Sequence, residues 1–429
     1  KKQNHNYEFQ SFKSDISINN KAVDKNFYII IFINNNLINL LGDKLLDIGN
    51  NIIFINKGIK FKKESEYNYI INPNSQEDFS RLFHHLAKEN VNIAKIINFW
   101  PIDGIISNND NCYKLSQESQ NLLLPNLYLL QEIAKFENNK IYLYQITQNA
   151  DIVDDKKDKN INFLQGSLYG MGRVFMNEYP NHHIRMIDIG CPKIEDNINL
   201  IIAEINKEEQ IPYETEIAIR DYGRFARKLV EFDQKKQPNR DLAFTPNSTY
   251  LITGGPSGLG LTLAQWLFEE KNIKNFALMS RSGPKYDQDK KIISQMQQKG
   301  ANIIWQEVIA DVTKENEVQK AIDYIKDNMP PLKGIIHSAG LLDDSSIPNM
   351  NKEKFFKIFN PKALGGWNLH RATLDIKLDL FLLISSVSSI IGIAGQTNYS
   401  SANNFLNYLS LYRNCSNESS RAICFGMLS

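Results

Sequence analysis

The segment Tyr250–Gly260 reads YLITGGPSGLG, a short apolar run that leads directly into a cluster of glycines. The apolar run predicts a buried strand, and the residues after the glycines have the spacing of a helix with one apolar face. Glycines at such a junction permit a tight turn, a close approach of the backbone to a pyrophosphate, and close packing of helix on strand. The helix N-terminus also offers N–H groups to a phosphate. The segment therefore predicts a dinucleotide-binding turn, for which the candidate contacts are Thr253, Gly254, Gly255, Ser257, Gly258, Leu259 and Gly260.

Three further strand ends carry candidate contacts, because ligands of open parallel sheets bind outside the carboxyl ends of the strands. The predicted strand Phe276–Ser280 is followed by Arg281. An acidic residue there would favour NAD, whereas an arginine favours the 2′-phosphate of NADP. An ordinary loop arginine is the alternative. The next two strand ends fall where an adenine contact and a small residue beneath the ribose are expected. The candidates at the three ends are Ser280, Arg281, Asp311, Val312, His337, Ser338, Ala339 and Gly340.

Four polar residues in the last third of the chain form a candidate catalytic set. A fifth predicted strand ends at Ser386, a helix follows with Tyr399 and Asn403 at i, i+4, and Lys362 lies upstream. Reducing a ketone with NADPH sends hydride to carbon and requires a proton at oxygen. A phenol, with a reference pKa near 10, suits that task only beside a cation.

We expect Tyr399 to deliver the proton and Lys362 to supply the charge and hold the nicotinamide ribose. Ser386 would donate a hydrogen bond to the carbonyl oxygen. Asn403 would position a water or the lysine. Each residue type alone is common at a surface, a strand end or a helix. Their joint spacing behind a dinucleotide motif favours the catalytic interpretation.

The composition excludes several classes of protein. The 429 residues predict two or three domains, at about 150 residues each. Lys plus Arg number 49 and Asp plus Glu 48, so a net charge of +1 disfavours nucleic-acid binding. The four cysteines form no CxxC pair, which disfavours zinc. The chain contains no run of about 18 apolar residues that would predict a membrane span. We expect a cytoplasmic globular protein with no metal, nucleic-acid or membrane partner.

Apolar, β-branched runs alternate with helix-period segments along the whole chain, which is typical of α/β architecture with parallel sheets. The strands predicted in the front part are Phe27–Ile33, Ile52–Ile55, Tyr69–Ile71, Ile93–Phe99, Ile141–Ile146, Ile184–Ile189 and Glu216–Ile219. Those predicted in the back part are Tyr250–Thr253, Phe276–Ser280, Ile303–Val308, Gly334–His337, Leu380–Ile384 and Ala422–Phe425. The polar, aperiodic stretch Glu231–Pro246 predicts a linker. We therefore expect two Rossmann-like, doubly wound parallel-sheet subdomains, 1–240 and 241–429.

Residues 250–425 resemble the ketoreductase domain of polyketide synthases, a branch of the short-chain dehydrogenase/reductase superfamily. The matching stretches are Thr253–Gly260, Ser280-Arg281, Gly334–Asp344, Asn360-Pro361-Lys362, Ser385-Ser386 and Gly395–Asn403. Free-standing members of the superfamily usually carry a lysine four residues after the tyrosine. Here that position is Asn403 and the lysine lies upstream at Lys362, which is similar to the ketoreductases of megasynthases. This exchange speaks against a free-standing dehydrogenase of small alcohols.

The resemblance implies an NADPH-dependent reduction of a 3-ketoacyl thioester to the 3-hydroxyacyl thioester. It implies that the substrate is held on the phosphopantetheine arm of an acyl carrier protein. The implied partners are that carrier domain and the other domains of a parent synthase, which would be a homodimer.

The front part also resembles this family, in its structural half. The matching stretches are Phe99–Asp103, Gly170–Val174 with Glu178-Tyr179-Pro180, Arg185–Asp188 and Arg220–Arg224. The resemblance implies a truncated dinucleotide-type fold that has no cofactor site. The residues agree, because Asn34-Asn35-Asn36-Leu37 follows the strand Phe27–Ile33 without a glycine turn.

The stretch Leu342-Asp343-Asp344 bears on stereochemistry. In the family a Leu-Asp-Asp motif at this place marks enzymes that form the D (3R) hydroxyl, and the opposite class tends to carry a tryptophan where this chain has Ile391. The resemblance therefore implies a D product, with Gln396 as a further residue on the substrate side. The alternative is that the two aspartates only cap a loop. Ala394 departs from the family, which often has proline there.

The ends of the chain predict a fragment of a longer polypeptide. Lys1 is not an initiator methionine, and Ser429 follows the last predicted strand directly. The family continues from there into lid helices and a final strand. Substrate closure normally depends on such a lid. A catalytically inactive scaffold is therefore the alternative to an active reductase.

Overall fold

The computed structural model describes residues 7–11, 27–33, 37–47, 49–136, 139–191, 194–207, 214–230, 244–416 and 418–426. These residues form two compact units. Unit 1 takes its residues from Lys1–Ile105, Glu118–Gln234 and Ser346–Asn349, and unit 2 from Ile106–Gln117, Lys235–Ser345 and Met350–Ser429. Most of the predicted linker Glu231–Pro246 lies outside the described residues.

Unit 1 is built on one large sheet. Its described strands are β1 (Tyr7–Ser11), β2 (Phe27–Ile33), β3 (Asn51–Lys57), β4 (Lys62–Lys63), β5 (Asn68–Ile71), β6 (Asn92–Asn98), β7 (Tyr142–Gln148), β8 (His183–Ile189), β9 (Glu216–Arg220) and β10 (Gly223–Leu229). Their order is β1-β10-β9-β8-β7-β6-β2-β3-β5-β4. The strands from β9 to β5 in that order are parallel, and β1, β10 and β4 pair antiparallel at the edges.

Helices alternate with these strands. They are α1 (Leu37–Asp47), α2 (Gln76–Lys88), α3 (Cys112–Ile133), α4 (Ser167–Glu178) and α5 (Ile194–Asn206). Ile30, Ile31 and Phe32 of the central strand β2 are fully buried. A continuous apolar strand of this kind is expected where both faces of a parallel sheet are covered.

Charged residues of the family-like stretches in the front part form buried ion pairs. Arg173 binds the Glu216 carboxylate at 2.6 Å, and Arg220 binds Asp188 at 2.7 Å, with all four side chains buried. Pairs of this kind are tolerated in a core because each charge is matched and hydrogen-bonded. These residues therefore join strands and helices within unit 1.

Unit 2 is a six-stranded, wholly parallel sheet in its described residues. The strands are β11 (Thr249–Thr253), β12 (Asn275–Met279), β13 (Asn302–Ile304), β14 (Leu332–His337), β15 (Leu380–Ser386) and β16 (Arg421–Phe425). The helices are α6 (Gly258–Lys271), α7 (Asp287–Gln298), α8 (Glu315–Asn328), α9 (Lys352–Ala372), α10 (Ser388–Ile391) and α11 (Thr397–Cys415).

The strand order of unit 2 reverses between β11 and β14. The order is β13-β12-β11-β14-β15-β16, so the chain runs outward from β11 and then returns to β14 on the other side. Ligands of doubly wound sheets bind at the carboxyl ends of the strands, where the order reverses in this way. The predicted α/β class with Rossmann-like parallel sheets is confirmed.

Several strands differ from the sequence-based expectation, because β1, β4 and β10 were not predicted and β13 is shorter than predicted. The strand predicted over Ile303–Val308 ends at Ile304, and Ile309 then makes a single bridge to Ser280. Trp305, the residue after this strand, packs against Gly283, where an added Cβ would be 2.5 Å from its ring. The hairpin of β9 and β10 was not predicted, although Gly223, with a φ of +149°, marks its turn.

Candidate active site

The turn between β11 and α6 has the geometry that the glycines predict. Gly254 has a φ of +69°, and a Cβ there would lie 3.3 Å from the Ala339 Cα. A Cβ at Gly260 would lie 2.6 Å from the Gly254 carbonyl oxygen. Positive φ favours glycine, and the two close approaches leave no room for a side chain. The turn is therefore compact because of its glycines.

The first turn of α6 is left open for an anion. Its N-cap residue is Ser257, whose side chain does not cap the helix. The Ser257 hydroxyl instead donates to Asp289 Oδ2 at 2.7 Å. N–H groups of a first helical turn without a side-chain cap attract phosphate, aided by the helix dipole. The residues present therefore fit a dinucleotide, whose pyrophosphate would lie next to the glycine turn.

Substituting Gly260 by valine tests this fit. The new side chain would collide with the Gly254 carbonyl and displace the turn. We expect the affinity for the dinucleotide to fall at least about tenfold, the effect of about 1.4 kcal/mol. Fluorescence titration of NADPH measures it. Gly426→Ala is the control, because a Cβ at Gly426 meets no atom within 4 Å. Unchanged NADPH affinity in Gly260→Val would contradict the assignment.

The predicted contacts after β12 and β13 divide into exposed and structural groups. Arg281 is exposed just past the carboxyl end of β12. Ser280 Oγ accepts a bond from the Gly283 N–H at 2.9 Å. Asp311 Oδ1 accepts bonds from the amide and the hydroxyl of Thr313. Val312 is buried. Arg281 thus has the exposure that a ligand contact needs.

The loops after β11 and β14 lie side by side. The N–H groups of Ser338 and Ala339 donate to Thr253 Oγ1 at 3.2 and 3.3 Å. Gly340 is exposed, and a Cβ there would come within 3.0 Å of Lys362 Cε. The fold therefore brings the predicted contacts at these two strand ends together with the candidate lysine.

The side chain of His337, which is a predicted cofactor contact, is buried. Its side chain is 1% exposed and lies inside unit 2 between Thr253 and Lys362. Burial, assisted by the charge of Lys362, lowers the pKa of His337 to about 3, so the imidazole is neutral. The side chain therefore makes its hydrogen bonds within the core of unit 2.

Lys362 is buried beneath the candidate tyrosine. Its Nζ donates to the Ile384 carbonyl at 2.9 Å and lies 5.5 Å from the centroid of the Tyr399 ring. Burial lowers the pKa of Lys362 to about 8. The ammonium form therefore still predominates near neutral pH, and its charge acts on the phenol from within the core.

Helix α11 carries Tyr399 and Asn403, and Ser386 is the last residue of β15. Asn403 Nδ2 donates to the Tyr399 carbonyl at 2.8 Å, which confirms their predicted i, i+4 relation. Asn403 Oδ1 is buried without a partner among the described residues. Ser386 Oγ accepts the Ser388 N–H at 3.2 Å, so its own proton is available for another acceptor. Ser385, which was not predicted, donates to the Asn403 carbonyl at 3.1 Å.

The Leu342–Asp344 loop is fastened to the segment before Tyr399. Leu342 is 65% exposed. Gln396 donates to Asp344 Oδ2 at 2.9 Å. The buried Asn398 donates to the Asp343 carbonyl at 3.0 Å. In the sequence Asn398 is identified only as part of the stretch Gly395–Asn403 that matches the family. Its position next to Tyr399 is the feature that could have indicated a role in the site.

An ion pair adds to the hold on this loop. Lys357 of α9 binds Asp343 Oδ2 at 2.7 Å. The hydrogen bond and the charge of Lys357 hold the pKa of Asp343 below its usual range. The two aspartates therefore do more than cap their own loop, because each contacts a side chain of another element.

Among the residues that the structure describes, no group of three or more His, Cys, Asp and Glu side chains is arranged to hold a metal ion. None of the helices described combines the length and the apolar character that crossing a bilayer requires.

Both parts of the chain match family models. Residues 248–429 match the model described as KR domain, and residues 27–209 match the one described as Beta-ketoacyl synthase-like, N-terminal. The phenolphthiocerol synthesis polyketide synthase type I Pks15/1 of Mycobacterium marinum is 33% identical over 42% of this chain and 8% of its own length. The hybrid PKS-NRPS synthetase pynA of Aspergillus niger is 38% identical over 40% of this chain and 4% of its own. The chain thus spans a small part of either relative.

Solved structures share the fold across nearly the whole chain. The crystal structure of an N-terminal ketoreductase from the macrolactin assembly line has a TM-score of 0.82 and 21% identity, and the match covers 99% of this chain and 83% of that one. The first ketoreductase of the tylosin PKS has a TM-score of 0.76 and 20% identity, with coverage of 99% and 82%. At these identities the likeness concerns the fold alone.

Proposed function

Because this chain belongs, over residues 248–429, to the KR domain family found in polyketide synthases, we propose that it reduces a 3-ketoacyl thioester to the 3-hydroxyacyl thioester with NADPH. The single observation that carries the proposal is the position of Lys362 Nζ, buried 5.5 Å from the Tyr399 ring centroid. It supports a proton donor with a fixed cation beneath it, next to the dinucleotide turn.

Three residues of the chain have different roles in the proposed reaction. NADPH, when bound, supplies the hydride. Tyr399 gives its phenolic proton to the carbonyl oxygen, and the ammonium of Lys362 stabilises the negative charge that then develops on the phenolate. Ser386 donates its hydroxyl proton as a hydrogen bond to the same carbonyl oxygen, where it stabilises the growing alkoxide.

Asn403 has a supporting role. Its amide nitrogen is used by the Tyr399 carbonyl, whereas Oδ1 is buried without a partner among the described residues. A buried acceptor of this kind costs free energy unless a donor reaches it. This supports a water held by Asn403, through which a proton returns to Tyr399 after each turnover.

The proposed substrate is a 3-ketoacyl group on the phosphopantetheine of an acyl carrier protein within a larger synthase, which we take to be a homodimer. The division at 1–240 and 241–429 then separates a structural from a catalytic subdomain. Relatives that are polyketide synthases, of which this chain spans 8% and 4%, support the carrier-bound substrate. The buried Arg173–Glu216 and Arg220–Asp188 pairs support a structural role of the front part.

The test is NADPH oxidation by this chain with a 3-ketoacyl pantetheine thioester. We expect turnover, and faster turnover when the same acyl group is carried on an acyl carrier protein. NADPH binding without reduction of any 3-ketoacyl thioester would instead indicate a non-catalytic scaffold. Reduction of simple ketones, with thioesters untouched, would indicate a small-alcohol dehydrogenase.

The product is expected to be the D (3R) alcohol. Asn398 and Gln396, which precede Tyr399, hold the Leu342–Asp344 loop beside the proton donor and thereby limit which face of the ketone can approach. Chiral chromatography of the hydrolysed product measures the outcome. An L product would overturn the assignment of this loop.

Cofactor preference is expected to depend on Arg281. A charge-assisted bond to the 2′-phosphate contributes about 1.5–3 kcal/mol, so Arg281→Glu should lower the preference for NADPH over NADH about 10- to 100-fold. The ratio of kcat/KM for the two cofactors measures it. Lys274→Ala is the control, because this exposed cation precedes β12 at the opposite edge of the sheet. An unchanged ratio in Arg281→Glu would leave Arg281 an ordinary loop residue.

A further inference from the structure

His337 joins the dinucleotide turn to the backbone of the candidate lysine. It ends β14 with its ring inside unit 2. Nδ1 lies 2.7 Å from the hydroxyl of Thr253, the last residue of β11, and Nε2 lies 3.1 Å from the carbonyl oxygen of Lys362 on α9. One buried ring thus touches both halves of the proposed machinery.

The hydrogen bonds around Thr253 favour one position for the proton of His337. Thr253 Oγ1 accepts the N–H groups of Ser338 and Ala339. A backbone N–H can only donate, so the hydroxyl oxygen is the acceptor in both bonds, although Ser338 shares its N–H with the Thr253 carbonyl oxygen at 3.2 Å. The hydroxyl proton of Thr253 is therefore available to Nδ1 of His337, which accepts it.

The other side of the ring leads to the same tautomer. The Lys362 carbonyl can only accept, so Nε2 must carry the proton and donate it there. A doubly protonated ring would lose the bond from Thr253 and would add a charge beside Lys362. Burial and Lys362 both lower the pKa of His337, in agreement with the neutral Nε2–H form.

A glycine of α9 allows the close packing that this contact needs. A Cβ at Gly365 would lie 2.9 Å from His337 Cε1. Helix α9 can therefore approach the ring directly, and the position of its backbone at Lys362 depends on the ring.

We propose that His337, as the Nε2–H tautomer, is a positioning residue that holds the dinucleotide turn through Nδ1 and the backbone of Lys362 through Nε2. The catalytic meaning of this inference rests on the proposed function. The bond at Nδ1 would hold Thr253 in the position that dinucleotide binding requires, and the bond at Nε2 would hold the helix backbone that carries the lysine.

Two substitutions of His337 each keep one of its two hydrogen bonds and remove the other. The amide oxygen of Asn can replace Nδ1 and accept from Thr253, but the shorter side chain does not reach Lys362. The amide nitrogen of Gln can replace Nε2 and donate to Lys362, at the loss of the acceptor for Thr253. We expect His337→Gln to keep kcat within about threefold and to weaken NADPH binding about tenfold, and His337→Asn to show the reverse; tenfold corresponds to one hydrogen bond of about 1.4 kcal/mol.

NADPH affinity is measured by fluorescence titration, and kcat with the thioester substrate. His370→Gln is the control: this buried histidine of α9 contacts Arg413 and Asn108 instead, so its loss should lower the melting temperature without separating affinity from kcat. Equal losses of both quantities in His337→Asn and His337→Gln would overturn this division of roles between the two bonds.

The tautomer provides a test on the unsubstituted chain. Nitrogen-15 NMR of labelled histidine should show His337 as a neutral Nε2–H ring across pH 6 to 8, assigned by its absence in His337→Gln. An Nδ1–H ring, or a ring that titrates in this interval, would overturn the proposal. This measurement needs no turnover, so it separates failure of the positioning role from failure of the proposed reductase activity.

Discussion

Replacing Tyr399 by phenylalanine is expected to lower kcat for the 3-ketoacyl thioester about 100- to 10,000-fold, the range in which a positioned general acid contributes. Phenylalanine keeps the ring above Lys362 Nζ but has no proton to give. The affinity for NADPH should stay within about twofold, because the ring and its backbone contact with Asn403 are retained.

The matched control is Tyr324→Phe, which removes an exposed phenol from α8. Its kcat should equal that of the unsubstituted chain. If Tyr399→Phe reduced the thioester at the original rate, the proton would come from another group and the proposed mechanism would be wrong. A loss of NADPH binding equal to the loss of kcat would assign Tyr399 to the cofactor site.

Replacing Lys362 by methionine is expected to abolish reduction and yet to stabilise the folded chain at pH 7. Burial lowers the pKa of Lys362 from 10.5 to about 8, a difference worth about 3 kcal/mol. Below pH 8 the folded chain bears the full cost of a buried ammonium. Methionine also lacks the hydrogen bond from Nζ to the Ile384 carbonyl, a loss of about 1 kcal/mol. A methionine of similar length removes the charge, so a gain of about 2 kcal/mol is expected.

The pH dependence of that gain has a definite sign. Between pH 8 and 10.5 the unfolded chain binds a proton at Lys362 that the folded chain does not, so the stability of the unsubstituted chain rises with pH over that interval. The advantage of Lys362→Met should therefore shrink as the pH rises from 8 to 10.5. Urea unfolding of both chains at pH 7 and pH 10 measures it. Lys352→Met, at an exposed position of the same helix, should show no such trend.

A Lys362→Met chain that is less stable than the unsubstituted one at pH 7 would show that the lysine is not buried as an uncompensated charge.

The ionisation of Lys362 should also govern activity. Since the ammonium form is the active one, the rate should fall as the pH rises through about 8. A rate that stays level to pH 10 would remove Lys362 from the mechanism.

Local sequence patterns predicted the structure correctly wherever the cause of that structure lies in neighbouring residues. The strand Phe27–Ile33 and the start of α11 before Tyr399 lie where the patterns predict them. The glycines of the Thr253–Gly260 turn were informative because the steric need for glycine is a property of the turn itself. The family resemblance added the pairing of Lys362 with Asn403, which spacing alone does not explain.

Other features depend on contacts between residues far apart in the chain. The end of β13 at Ile304 is associated with the contact between Trp305 and Gly283, and the pairing of β9 with β10 returns the chain along an edge that apolar periodicity does not mark. Propensity and pattern report burial along one segment, whereas these features depend on what a distant segment offers.

The residue types and their order therefore established an α/β chain with a dinucleotide turn and a candidate set of Lys362, Ser386, Tyr399 and Asn403. Only the tertiary structure showed that Lys362 is buried beneath the tyrosine ring and that His337 lies within the core between Thr253 and Lys362. Burial and hydrogen-bond partners set the charge state of such groups, and both are properties of the packed interior, which no single stretch of sequence contains.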